Sequence, residues 1–177
     1  QTHPGVVERT ETKSTNHTGT TNDKYFWLKE LEVLTKHPKV LGIGEIGLDY
    51  YSYKSNGIVE PKIQKEVFEA QIELAYKAKL PLQIHNRLAG EDIIEILKHH
   101  KNLLMEHPGM FHCFAGTREV LKSALQMGFC LGFDGNSTYK GIAPGETVEL
   151  RELIKLTPID RIVIETDAPY LTPVPHR

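Results

Sequence analysis

Cysteine is scarce in this chain. Cys113 and Cys130 are the only two among 177 residues, too few for a disulfide framework. Cys113 reads as a small apolar packing residue, which suits a reducing, cytoplasmic setting. Charge of one sign is also lacking. A formal net charge of -2 argues against an overall electrostatic grip on nucleic acid and leaves room for a local basic patch. No run approaches the roughly 20 apolar residues of a membrane span, so no membrane partner is expected. An initiator methionine and a signal-peptide pattern are absent from the opening Gln1-Thr2-His3-Pro4. The last strand of the pattern is followed by prolines rather than a covering helix. The expectation is one domain over residues 1–177, incomplete at both ends, since the hydrophobic fraction of 40% and charged fraction of 25% are those of a soluble globular chain.

What is present is a repeated alternation. Residues 8–23 (ERTETKSTNHTGTTND) hold no large apolar group and read as a flexible polar loop. Phe26, Trp27, Leu31 and Leu34 have helical spacing up to Pro38, and a strand from Val40 to Ile43 follows. Pro61 suits the first turn of a helix, with Ile63, Val67, Ala70, Leu74 and Ala78 as its apolar stripe. Strands are expected at Pro81–Ile84, Gly109–Phe111, Phe129–Phe133 and Arg161–Ile164. Helices are expected at Glu91–His100, after Thr117 as a cap, and at Val148–Leu156. Strand, loop, helix and strand again means parallel βα units of an α/β fold.

Four strand ends carry candidate metal ligands: Glu45 in GEIGLDYY, His85 in LPLQIHNR, His112 in GMFHCFAG and Asp167 in IVIETDAPYL. In a parallel sheet such ends lie on one face. Imidazole nitrogen with carboxylate oxygen suits zinc, manganese, nickel or iron better than calcium. Each residue alone has an ordinary explanation, as a cap, an ion pair, a core histidine or a turn; the joint placement favours a metal site. Cys113 beside His112 is expected on the opposite face. Arg87 either grips an anionic substrate group through its planar fork or forms a surface ion pair with Glu91 or Asp92. Asp49 and Tyr50 are candidates to orient ligands or line the pocket. Asn136 to Lys140 offers hydroxyls and a cation for a phosphate, or is simply a polar loop. His37, His99, His100 and His107 fall at helix ends or in polar connections and are expected to be solvated.

GEIGLDYY, IHNR followed by Ala89, HCFAG, and ETDAPYL followed by Pro173, in that order, resemble the TatD family of metal-dependent deoxyribonucleases. His3-Pro4 is similar to the His-Pro that ends an earlier strand in that family. The resemblance implies a (β/α)8 TIM barrel with one or two divalent metal ions, of which Zn, Mg and Mn are candidates. It implies phosphodiester hydrolysis by metal-activated water, 3'-5' exonucleolytic and favouring single-stranded DNA. By motif, Glu45 would bridge the metals and, with Asp167, be catalytic; His85 and His112 would hold one metal and Asp167 the other. Asp167 would orient or deprotonate the attacking water, and Arg87 and Tyr50 would contact substrate.

The sequence departs from that pattern in three places. No His-x-His pair precedes residue 45, so one metal would keep only Glu45 and Asp167. Leu88 stands where the family often has an acidic residue, and the final helix is missing. The expectation is that this polypeptide by itself is unstable or inactive while its full-length parent is a hydrolase. A hydrolase of a small ester, lactone or amide is the enzymatic alternative. A non-catalytic metal-binding remnant is the alternative from another class.

Overall fold

The computed structural model describes residues 26–55 and 57–176. The polar loop expected at 8–23, with His17 in it, and the His3-Pro4 pair lie outside the described residues. Among the described residues no helix is long and apolar enough to cross a membrane.

The order is α1 (Phe26–Leu34), β1 (Ile43–Asp49), α2 (Pro61–Ala78), β2 (Leu82–Arg87), α3 (Gly90–His99), β3 (Gly109–His112), α4 (Arg118–Gln126), β4 (Cys130–Phe133), α5 (Leu150–Leu156) and β5 (Ile162–Ile164). The strands form one sheet in the order β1-β2-β3-β4-β5, and every neighbouring pair is parallel. Each new strand is added beside the last without reversal. That is the winding of a (β/α) barrel, not of a doubly wound sheet with a switch point.

Register sorts the side chains between two faces, because paired residues share a face. Ile84 pairs with Phe111, Phe111 with Leu131, and Leu131 with Ile162. The first three of these are completely buried, and Phe68, Ile72, Ile93, Leu97 and Ala124 of the helices are buried too. Phe111 meets Phe129 and Phe114 edge to face, with centroids 5.3 and 5.9 Å apart. The opposite ladder is Gly47, His85 and His112. The sheet thus has an apolar side under the helices and a polar side that carries the candidate ligands.

Sequence signals at the helix ends are realised. Pro61 opens α2. The Thr117 hydroxyl accepts from the Val120 N–H at 3.2 Å and caps α4.

Several expectations are corrected. The first strand runs from Ile43 to Asp49, so Glu45 lies inside it rather than beyond the end of a Val40–Ile43 strand. A register irregularity between Ile43 and Ile46 accompanies this placement. Helix α2 buries Gln64, Phe68, Gln71, Ile72, Leu74 and Ala75, a face turned away from the expected Ile63, Val67, Ala70 and Ala78. Gln64 can face inward because its amide is used. Its Nε2 donates to the carbonyls of Asp49 (2.9 Å) and Val59 (2.8 Å), and its Oε1 accepts from the Asp49 N–H at 2.8 Å. In α1, Leu28 and Leu31 pack on the core, whereas Phe26 and Leu34 are exposed.

Candidate metal centre

Glu45, His85 and His112 come from three adjacent strands, and Asp167 from the segment after β5. Glu45 Oε1 lies 3.4 Å from His85 Nδ1 and 3.6 Å from His112 Nε2. His112 Nε2 lies 3.7 Å from Asp167 Oδ1. Two donors on one tetrahedral zinc with bonds near 2.1 Å stand about 3.4 Å apart, so the pairs are spaced as ligands sharing an ion would be. As a set they are not closed. Among the described residues, no three His, Cys, Asp or Glu side chains stand ready to hold a metal. His85 is divided between two carboxylates, its Nε2 being 3.4 Å from Asp49 Oδ2. The donors fit a divalent ion in chemistry and in pairwise spacing.

Glu165 was not singled out from the sequence. Its Oε2 is 2.5 Å from His112 Nδ1 and its Oε1 accepts the Cys113 N–H at 2.5 Å. An ionised carboxylate only accepts, so Nδ1 carries the proton and Nε2 keeps its lone pair for Glu45, Asp167 or a cation. The hydrogen bond to Glu165 raises the pKa of His112 against the opposing effect of burial, with the charges of Glu165 and Asp167 adding to it. Gly132 makes the room. A Cβ there would meet Glu165 Oε1 at a contact no real Cβ tolerates. The only advance signal for Glu165 was its position two residues before Asp167.

Asp49 is nearly buried and serves the far side of His85. Burial works to raise its pKa. The adjacent His85 ring and the hydrogen bonds from the Tyr53 hydroxyl and the Tyr51 N–H outweigh burial and hold the carboxyl below the usual aspartate range. Its Oδ1 accepts from the Tyr51 N–H at 2.9 Å and its Oδ2 from the Tyr53 hydroxyl at 2.7 Å.

The remaining candidates are placed as follows. Arg87 forms no ion pair with Glu91 or Asp92; its Nη1 donates to the Tyr53 hydroxyl at 3.1 Å. Asp92 is taken by Lys65 Nζ at 2.7 Å and by the Tyr50 hydroxyl at 2.6 Å. Tyr50 therefore spends its hydroxyl on helix α3, and burial together with Asp92 raises its pKa. Cys113 lies past the last strand residue with φ 44°, so strict alternation no longer directs it. Asn136 Nδ2 points to its Sγ at 3.6 Å. Burial pushes the thiol pKa well up, with Asp134, Asp167 and Glu165 adding to the effect. Gly135–Thr138 is a 3-10 turn, and Arg151 donates to the carbonyls of Ser137 and Thr138. His37, His99 and His107 are exposed, whereas His100 is half-buried with Nδ1 3.0 Å from the Ile96 carbonyl.

The chain belongs to the TatD related DNase family, whose model matches residues 2–177. It is 44% identical over 158 residues to the uncharacterized metal-dependent hydrolase YabD of Bacillus subtilis, covering 89% of this chain and 56% of that protein. It is 40% identical over 146 residues to the 3'-5' ssDNA/RNA exonuclease TatD of Erwinia billingiae, covering 81% of this chain and 51% of that protein. The crystal structure of YJJV, a TatD homolog from Escherichia coli, superposes with TM-score 0.68 at 27% identity, over 81% of this chain and 52% of that one. A TatD family hydrolase from Entamoeba histolytica gives TM-score 0.67 at 29% identity, over 93% and 49%. The chain spans about half the length of the curated relatives it matches.

Proposed function

We propose that these residues form the divalent-metal centre of a hydrolase that cleaves phosphodiester bonds of single-stranded nucleic acid from the 3' end. The observation that carries this is the sharing of Glu45 Oε1 between His85 and His112, at 3.4 and 3.6 Å. One carboxylate oxygen set between imidazoles of neighbouring strands is the arrangement expected of a ligand, bridging where two ions bind. The exonuclease name of the Erwinia relative supports the substrate class.

In this function Glu45, His85 and His112 would hold one ion, and Glu45 and Asp167 would contribute to a second. A bound divalent cation supplies Lewis acidity toward the phosphoryl oxygens and acidifies water. The protein's own residues do the rest. Glu165 fixes the His112 tautomer so that Nε2 faces the centre. Asp167, beside His112 Nε2, orients the attacking water and takes its proton. Asp49 holds His85 from behind. Arg87 ends the strand that carries His85, and its N–H groups bind a phosphate oxygen pair of the substrate. Tyr50, committed to Asp92 by its hydroxyl, steadies the β1–α2 connection.

The test is degradation of a 5'-labelled single-stranded oligonucleotide by the full-length protein with Mn2+, Zn2+ or Mg2+ and with EDTA, beside Glu45→Ala. Metal-dependent shortening that drops at least 100-fold in the variant is expected. Equal rates in the two proteins, or no metal-dependent cleavage at all, would remove the proposal.

A further inference from the structure

We propose that Tyr51, backed by Arg87, is a stacking platform for one unpaired nucleobase beside the metal centre. This subsite presupposes the phosphodiesterase function proposed above. Tyr51 keeps 40% of its surface exposed. The Arg87 guanidinium carbon lies 4.0 Å from the Tyr51 ring centroid and 5.5 Å from that of Tyr53. The two tyrosine rings meet edge to face, centroids 5.0 Å apart at 75°.

The cluster is built, not incidental. Tyr53 and Gly57 exchange two backbone hydrogen bonds, at 2.9 and 2.7 Å, which fix the Tyr53 backbone. The Tyr53 hydroxyl donates to Asp49 and accepts from Arg87. Asp49 also accepts the Tyr51 N–H and stands 3.4 Å from His85 Nε2. Asp49 and Arg87 are paired across β1 and β2, as are Gly47 and His85. Hydrogen bonds from Tyr51 and Tyr53 to Asp49, and the 3.4 Å approach of Asp49 to His85, therefore link the exposed aromatic to a candidate metal ligand, so a group seated on the ring has a defined position relative to the centre.

The chemistry of the cluster selects its occupant. A half-exposed ring with a cation against it favours a planar π-faced group joined to an anion. Among the described residues no carboxylate forms an ion pair with Arg87, so its charge is not consumed by an acidic partner. A nucleotide has both properties: the base covers the ring and the phosphate takes the guanidinium N–H groups that Tyr53 leaves. A base inside a duplex has both faces covered by its neighbours and cannot use the site. The platform therefore selects single strands, which near-neutral net charge alone could not do.

The test compares wild type, Tyr51→Ala and Tyr51→Phe in binding fluorescein-labelled octathymidylate and a base-free tetrahydrofuran octamer, by anisotropy in EDTA. Tyr51→Ala is expected to weaken octathymidylate binding by about 5- to 100-fold. Its affinity for the base-free octamer should stay within about twofold, and Tyr51→Phe should match wild type. Unchanged octathymidylate affinity in Tyr51→Ala, equal losses on both probes, or no binding by wild type would each overturn the platform. Cleavage of octathymidylate by wild type with Mn2+ separates the two proposals. Cleavage without Tyr51-dependent binding sinks only the platform, and Tyr51-dependent binding without cleavage sinks only the hydrolase.

Discussion

Glu165 holds His112 by Nδ1, at 2.5 Å, and so leaves Nε2 as the nitrogen that faces Glu45 and Asp167. The two residues are 53 positions apart in sequence, yet one decides which end of the other can act as a ligand. A carboxylate behind a ligating imidazole sets its orientation and raises its basicity.

Replacing Glu165 with Gln keeps the shape and removes the charge. Affinity for Zn2+ or Mn2+ is expected to fall about 10- to 100-fold, read by titration calorimetry. The thermal midpoint of the metal-free protein should fall at pH below about 6.5, where the charged His112 ring relies on Glu165, and move less toward pH 8. Undiminished metal affinity in Glu165→Gln would show that the contact does not tune the site.

Gly132→Ala tests the same contact without touching a polar group. The new methyl would overlap the Glu165 carboxylate and Met110 Cε, both far ends of flexible side chains that can swing aside. The fold should survive while Glu165 leaves His112. Circular dichroism close to wild type, with metal affinity lowered as in Glu165→Gln, is the expected pair of results. Full metal affinity would show that Glu165 accommodates the methyl in place.

The metal-free chain should respond to pH in two opposite ways. His112 has a raised pKa, so its contribution is fully present below the unfolded value of about 6.5 and is lost as pH rises through the folded value. Asp49 has a lowered pKa. Its contribution is present above about 3.9 and is lost as pH falls through the folded value. Urea midpoints measured in EDTA should therefore be highest between these limits, and His112→Gln should flatten the decline toward pH 8. A decline of the same slope in that variant would assign the effect elsewhere.

Phe111→Ala addresses the opposite face of the same strand. Phe111 is completely buried and packs edge to face on Phe114 and Phe129. Its truncation should cost about 3–5 kcal/mol, read as a lower urea midpoint. A loss under 1 kcal/mol would mean that the sheet–helix layer repacks around the gap.

Much of the architecture was legible in the sequence because it depends on local order. The alternation of apolar strands with helices, the Pro61 start and the Thr117 cap require only neighbours within one turn, and they appear in the expected order, with β1 displaced to Ile43–Asp49. The four candidate ligands were legible for a related reason. A parallel sheet brings equivalent positions of successive strands to one face, so Glu45, His85 and His112 converge once the strands are placed.

Tertiary structure decided what periodicity does not encode, namely which polar residues can be buried. The apolar stripe expected for α2 did not include Gln64, but its amide satisfies the Asp49 and Val59 backbone and turns that face inward. Arg87 had Glu91 and Asp92 within four to five residues, yet Lys65 and Tyr50 hold Asp92 and leave the guanidinium to the tyrosines. Glu165 carried no signal of its own in the sequence, and folding set it against His112. An apolar residue announces its burial by its own chemistry. A buried polar group needs a partner, and here those partners lie 5 to 53 residues away. The sequence by itself determined the layering and the types of the candidate ligands; only the tertiary structure decided their orientation and support, because long-range hydrogen bonds offset the desolvation of groups such as Gln64 and His112.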